Sequence, residues 1–533
     1  MQGLFFDEVR ALAGIEVGEG GVAELEHGAD TGCSQVCFGG VVRPASVGQV
    51  ALIVAAANRH RVALWPVSGG RNFGYGTARP VTDGAVLLDL SRLRGVVVDK
   101  ASATATIEPG VTQADLAEAL EAAHADLLVP TTGVGPNGNL LGNALDGGYG
   151  LTPVADHFTA ISALEGVWGD GTPFGHVYED LGCAAMSARW AWGTGPYWAG
   201  LMRQSALGIV TKATLQLARV PEAVHILVIE WPSSERYWAA QPELARLVEE
   251  IPGIGGIIAM NDYRVLSTQA DAPLAEALTG EARMAFLDTL ARERAISKWT
   301  AIGTLYGSRS AVAGATRDLK RRLTGCHIRA FTPAQVGVLQ ALFSFLPKAV
   351  LPSLRRHLGS LANAVGTVRG TPIVAFLRIA YALQRNPQPL GLQSHPAKDG
   401  CGILWYAPLV TFDSENVARY EACMSKVLLA HGFDPLLALT TRSSRVLSAT
   451  IPIIFDPRDV AAVARAKACY SALVEAGLAE GWPPYRIGSE YMEHIYPPED
   501  SMTAQLHARL KEAFDPRDII APGRYMRPLP ASQ

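Results

Sequence analysis

The sequence predicts a mixed α+β protein built in more than one part, and three observations lead there. Between about residues 41 and 110, short apolar runs of strand length alternate with one run at helical spacing. Glycine is in surplus, 53 of 533 residues against a usual share of roughly 7%. That surplus is gathered in two clusters, 68–76 and 131–150, rather than spread periodically. After about residue 225 glycine thins out, and strand-like runs alternate with longer Ala/Leu/Arg helical stretches, as in a second α+β domain.

The elements follow in order. Ser46, just after Pro44, is placed to cap a helix whose apolar positions Val50, Ala51, Val54 and Ala55 share a face. Val62 to Val67 reads as a strand running into the first glycine cluster, and Val86–Leu90, Val96–Val98 and Ala103–Ile107 read as further strands. Thr112 and Asp115 have the spacing of a capping box for the next helix. Beyond the second glycine cluster, Ser162 to Trp168 predicts a hairpin turning at Gly169-Asp170-Gly171, and 204–211 holds one more tight turn. In the second part, Val224–Trp231, Ile373–Leu377, Ile403–Val410 and Thr450–Phe455 read as strands.

Composition excludes several classes. Forty-six basic against 50 acidic residues give a net charge of −4, so bulk charge draws the chain neither to nucleic acid nor to an anionic lipid surface. Apolar residues make up 49% and charged residues 18%, a packed chain rather than a disordered one. No apolar run reaches the ~18 residues of a membrane span, and the N-terminus has no secretory pattern. Seven dispersed cysteines without a CxxC fit a reduced compartment, so a cytoplasmic location is expected.

Glycine turns leave backbone N–H groups free to surround a phosphate, because no Cβ blocks approach. The first cluster follows a strand, as a phosphate loop should, yet it is neither a Walker A nor a GxGxxG opening a helix. On residues alone, an anion-binding loop and an ordinary turn-rich loop both stay open.

Several motifs in one order carry more: VVRPASVGQV at 41–50, LWPVSGGRNFGYG at 64–76, TTGVGPNGNLLGNALDGGYGLTPVADHF at 131–158, ILWYAPL at 403–409, PPYR at 483–486 and DPRDIIAPGR at 515–524. With them the chain resembles the vanillyl-alcohol oxidase and p-cresol methylhydroxylase family of flavoproteins, which oxidise para-substituted phenols. The resemblance implies a split FAD-binding domain, 1–223 with a return at 484–533, around an α+β cap domain with an antiparallel sheet at 224–483. It implies that Pro66 and the backbone of Ser68, Gly69, Gly70, Arg71 and Asn72 hold FAD at the pyrophosphate. Thr132, Gly133, Gly138, Asn139 and Gly142 would line the rest of the dinucleotide, with Ile209 and Val210 near the adenosine. Arg524 would stand near the flavin N1–C2 edge, where a positive charge stabilises reduced flavin.

At the substrate end, the resemblance implies that Tyr75, Tyr485 and Arg486 bind the phenolic oxygen as phenolate. Three donors aimed at one oxygen lower the phenol's pKa. Electron release from the phenolate lets hydride leave the benzylic carbon for flavin N5, giving a quinone methide that adds water or loses a benzylic hydroxyl proton. Asp156 takes the place of the family's active-site acid, stabilising the quinone methide and serving as base. Trp405 and Tyr406 would form an aromatic wall in the cap. The implied partners are a small phenol and either O₂ or a cytochrome c-type acceptor, and family habit implies a homodimer.

The chain departs from the pattern in two places. Relatives with a His tether carry it five residues before the proline that is Pro408 here, and that position is Ile403, which forms no such bond. Noncovalent FAD is therefore expected, with His395 as the fallback tether. Relatives often carry adjacent His residues where this chain has Ser448 and Ala449, which implies a roomier cavity for a bulky, lignin-derived phenol. Two alternatives stand beside this reading: an FAD-dependent 2-hydroxy-acid dehydrogenase, and a flavin-fold protein that binds without turnover.

Overall fold

The computed structural model describes residues 2–269, 278, 280–345, 352–382 and 394–530. Strands β1 (Glu16–Glu19), β2 (Gly40–Arg43), β3 (Leu64–Val67) and β4 (Val86–Asp89) form a first sheet in the order β1-β2-β4-β3. Strands β2, β4 and β3 are parallel, and the helix Val47–His60 makes the crossover. A parallel sheet covered by helices needs side chains that are apolar on both faces. All four residues of β2 and all four of β4 are buried, in keeping with that. Strands β5 (Val96–Asp99), β6 (Thr104–Ile107), β7 (Ile161–Trp168), β8 (Pro173–Phe174) and β9 (Gly208–Gln216) make a second sheet, β5-β6-β9-β7-β8, antiparallel throughout. The hairpin at 169–171 and the helix Gln113–Ala122 form where the sequence places them. Thr112 Oγ1 accepts from Asp115 N at 3.2 Å, and Asp115 Oδ2 accepts from Thr112 N at 2.8 Å, closing the capping box.

The third sheet has eight strands: β10 (Ala223–Trp231), β11 (Ile258–Asn261), β12 (Trp299–Gly307), β13 (His327–Phe331), β14 (Gly402–Thr411), β15 (Ala438–Thr441), β16 (Val446–Phe455) and β17 (Pro484–Arg486). Their order is β13-β10-β12-β11-β15-β16-β14-β17, and every pair is antiparallel. The helices Ser414–Ala430 and Val460–Ala479 cover one face through Tyr420, Met424, Tyr470 and Leu473, all sealed from solvent. Because β17 pairs with β14, this sheet extends to Arg486, past the expected boundary at 483.

The chain then returns to the first core. Leu64 N donates to Ile519 O at 2.7 Å, Ala521 N donates to Leu64 O at 2.8 Å, and Ile519, Ile520 and Ala521 pack among the residues of the first two sheets. Ile373–Leu377 is not a strand. Residues Ala375–Tyr381 form 3-10 helix instead, and Leu377, Ile379 and Tyr381 anchor in an apolar cluster with Tyr263 and Leu266. A short apolar run carries too little periodicity to separate the two outcomes. Among the described residues, no helix is long and apolar enough to cross a membrane.

Candidate active site

A cavity of about 950 Å³ lies between the two glycine-rich loops and the exposed face of the third sheet. Its size is at the upper end for a cofactor site, where ~300–1,000 Å³ is usual. Pro66, Ser68–Asn72, Thr132, Gly133, Gly138, Asn139, Gly142, Ile209, Val210 and Arg524 all reach this one cavity, as do Tyr75, Trp405, Tyr485 and Arg486.

The loop after β3 has the shape of a phosphate cradle. Gly69, Gly70 and Arg71 leave the strand with backbone N–H groups that meet no protein acceptor among the described residues. Gly70 has φ +63, a conformation that favours glycine. A Cβ on Gly69 would stand 2.3 Å from Asn139 Oδ1, and one on Gly142 would stand 2.8 Å from Ser68 Oγ. The two loops therefore close on each other only through glycine. Such a row of free N–H donors beside an elongated cavity fits a dinucleotide pyrophosphate.

At the other end, Tyr75 follows Gly74, whose carbonyl accepts from Trp405 N at 3.1 Å. Tyr75 O in turn accepts from Ser489 N at 3.2 Å. Residues far apart in sequence are thus fixed by backbone bonds. The Arg486 guanidinium lies 4.5 Å from the centre of the Tyr75 ring. Arg486 Nε is 2.6 Å from Asp146 Oδ2, and Arg486 also donates to Asn72 Oδ1. Asp146 takes a second cation: Arg524 Nη2 donates to its Oδ1 at 3.1 Å, beside the Tyr525 hydroxyl at 3.2 Å. Burial works against the Asp146 charge, but Arg486 and Arg524 hold its carboxyl below the ordinary value. Burial likewise works against the Arg486 charge, and Asp146 more than offsets it, so its pKa moves up. Tyr75 is pushed well above 10 by burial, with Arg486 pulling the other way.

Two expected residues stand elsewhere. Asp156 is not in the cavity wall: its Oδ1 accepts from the N–H groups of Phe158 (3.0 Å) and Thr159 (3.2 Å), an Asx-type turn. The carboxylate that the structure sets beside Arg486 and Arg524 is Asp146, which was not singled out from sequence; as the one charged side chain in 131–150, its isolation inside that glycine-rich stretch was the signal. Tyr406 points away from the cavity because successive side chains of a strand alternate faces. Ile403 and Trp405 face the cavity, whereas Leu404 and Tyr406 pack into the core under the helices, with the Tyr406 hydroxyl close to Gly477.

His395 lies beside Gly69–Arg71 and edge-on to Phe73, and burial lowers its pKa to about 4. Ser448 lines the cavity, but Ala449 is sealed in the core. Four arginines of the third-sheet region also reach the cavity and were not singled out from sequence: Arg264, Arg329, Arg378 and Arg442. Arg442 is sandwiched between the rings of Tyr149 (4.0 Å) and Tyr485 (4.3 Å), and its Nε donates to Ser448 Oγ at 2.8 Å.

Comparison with known proteins agrees with this geometry. Residues 39–174 match the FAD binding domain family. The chain is 29% identical over 493 residues to a 1'-carboxy-chondrochloren decarboxylase of Chondromyces crocatus, covering 91% of this chain and 90% of that protein. It is 25% identical over 495 residues to the 4-cresol dehydrogenase [hydroxylating] flavoprotein subunit of Pseudomonas putida, covering 91% and 87%. The fold superposes on substrate-bound p-cresol methylhydroxylase with a TM-score of 0.84 at 21% identity, over 99% of this chain and 98% of that one. The chain thus carries an FAD-binding domain at 39–174, shares the fold of p-cresol methylhydroxylase, and is similar over most of its length to a flavoprotein subunit of that kind.

Proposed function

We propose that this protein oxidises para-substituted phenols at the benzylic carbon. The observation that carries the reading is the convergence of Tyr75, Tyr485 and Arg486 on the cavity that the glycine loops open into. Bound FAD supplies the hydride acceptor. Tyr75 and Tyr485 donate hydrogen bonds to the phenolic oxygen, and Arg486 supplies the counter-charge that favours phenolate. Asp146 fixes the Arg486 fork, and because its single negative charge is shared by Arg486 and Arg524, a net positive charge remains to face the phenolate. The phenolate drives electron density toward the para carbon as hydride leaves, giving a quinone methide. Water then adds, or a benzylic hydroxyl proton departs.

Ile403 at the tether position supports noncovalent FAD, held by the Ser68–Asn72 backbone. Anaerobic bleaching of the flavin by a panel of 4-alkylphenols tests the main reading, and failure of every phenol to bleach it overturns that reading. Admission of air then separates an oxidase, which recolours at once, from a dehydrogenase needing another acceptor. The similarity to a decarboxylase favours a second reading, loss of a carboxyl group from a phenolic acid. Release of CO₂ in step with flavin bleaching distinguishes the two.

A further inference from the structure

Arg264 presents a charge that no carboxylate among the described residues answers. It lies in the helix Asp262–Ser267, at one edge of the cavity. Its guanidinium stands 5.1 Å from the centre of the Trp405 ring. Its Nε and Nη1 are shielded from solvent and have no hydrogen-bond partner among the described residues. Among the described residues no carboxylate pairs with it: Asp262, two residues before it, is engaged by Lys298 at 3.0 Å. Burial alone lowers its pKa, to about 10, which leaves it charged at neutral pH.

A buried cation without a counter-ion is costly, and so are buried N–H donors without acceptors. A structural arginine would ordinarily be matched by an acid, as Arg486 is by Asp146 and Arg283 by Asp434. Arg378 adds a second guanidinium from the same apolar cluster, also lining the cavity and with Nε unpartnered. Trp405 joins this region to the phenol end, since its backbone holds Gly74 while its ring carries Arg264.

We infer that Arg264 is the recognition point for a carboxylate on the substrate, so that the enzyme takes phenols whose para side chain is acidic. The inference rests on the phenol reading and adds the second charged end of the ligand. A carboxylate on the ligand brings both the counter-charge and the acceptor oxygens that Nε and Nη1 lack. Replacing the carboxylate by an amide or ester removes the charge and one acceptor, and the buried guanidinium is left unanswered.

The test uses the FAD-loaded full chain with 3-(4-hydroxyphenyl)propanoate and its primary amide. Binding is read as the perturbation of the flavin absorbance, which needs no turnover, and reactivity is read as anaerobic bleaching. The acid is expected to bind at least ten-fold tighter than the amide. Arg264→Gln is expected to erase that ratio while leaving affinity for 4-ethylphenol unchanged, and Arg264→Lys to recover part of it. Equal binding of acid and amide by the unaltered enzyme, or an undiminished ratio in Arg264→Gln, overturns the proposal. Tight, charge-selective binding with no bleaching by any phenol would uphold the carboxylate site and sink the oxidation reading instead. Should Arg264→Gln fail to load FAD, the acid-to-amide ratio of the unaltered enzyme and of Arg264→Lys decides.

Discussion

Asp146 holds two guanidiniums at once and is almost sealed from solvent, so the charge balance of the site turns on it. Arg486→Gln leaves this carboxylate with half its counter-charge, and breaking such a buried pair costs about 3–5 kcal/mol. A loss of that size in urea unfolding is expected, together with a fall in turnover of about 10²-fold or more. Arg486→Lys keeps the charge but not the fork, so it should recover stability more than activity. The acid limb of stability has several sources, among them Asp146, His157 and His395. The Asp146 carboxyl titrates below its ordinary value, so its contribution is present above about pH 4 and is lost as pH falls through the folded pKa. His157, 3% exposed, has its pKa lowered by burial from 6.5 to about 4. The unfolded chain therefore takes up a proton before the folded one does. Stability is full above pH 6.5 and declines down to about pH 4; burial lowers His395 to about 4 as well, so His157→Gln should flatten that window only in part. Urea midpoints measured from pH 8 to pH 3 check both.

At the scale of the element, the strand β14 and the two glycine loops build the site. Alternation along β14 sends Ile403 and Trp405 to the cavity and Tyr406 to the core. ILWYAPL was legible as a strand, but its two faces were not, because apolar side chains occupy both. Gly69→Ala would drive a Cβ into Asn139 and part the two loops, so it is expected to lower FAD retention on gel filtration at least ten-fold while the secondary structure stays intact. Capping signals proved more readable than loops. Thr112→Ala should cost about 1 kcal/mol in urea unfolding, since the Thr112 hydroxyl answers the Asp115 N–H. Asp156 was misplaced for a related reason. An Asp in a loop can satisfy nearby backbone N–H groups or face a ligand, and only the local turn decides.

For the whole molecule, the return of the C-terminus closes the cofactor domain. Lys511 is 1% exposed and reaches Asp515 and Asp518 at 2.7 Å each, Ala206 O at 2.7 Å and Ile520 O at 2.8 Å. One ammonium thus ties the last helix to the turn before β9 and to the strand-like 519–521 segment. Lys511→Met leaves Asp515 buried and unpaired and is expected to cost about 3–5 kcal/mol, read as a lower thermal midpoint that added FAD raises only in part. Acid precipitation is expected to leave the yellow colour in the supernatant, because Ile403 offers no tether. Local spacing by itself determined the strands around both glycine clusters and the caps at Ser46 and Thr112, since these depend on neighbours within a few residues. Only the tertiary structure decided that Asp146 answers Arg486, that Asp156 turns to its own backbone, that Tyr406 belongs to the core, and that Arg264 stands over Trp405 with no carboxylate partner among the described residues. Those pairings join residues up to hundreds of positions apart, and burial and counter-charge exist only once the chain has closed around the cavity.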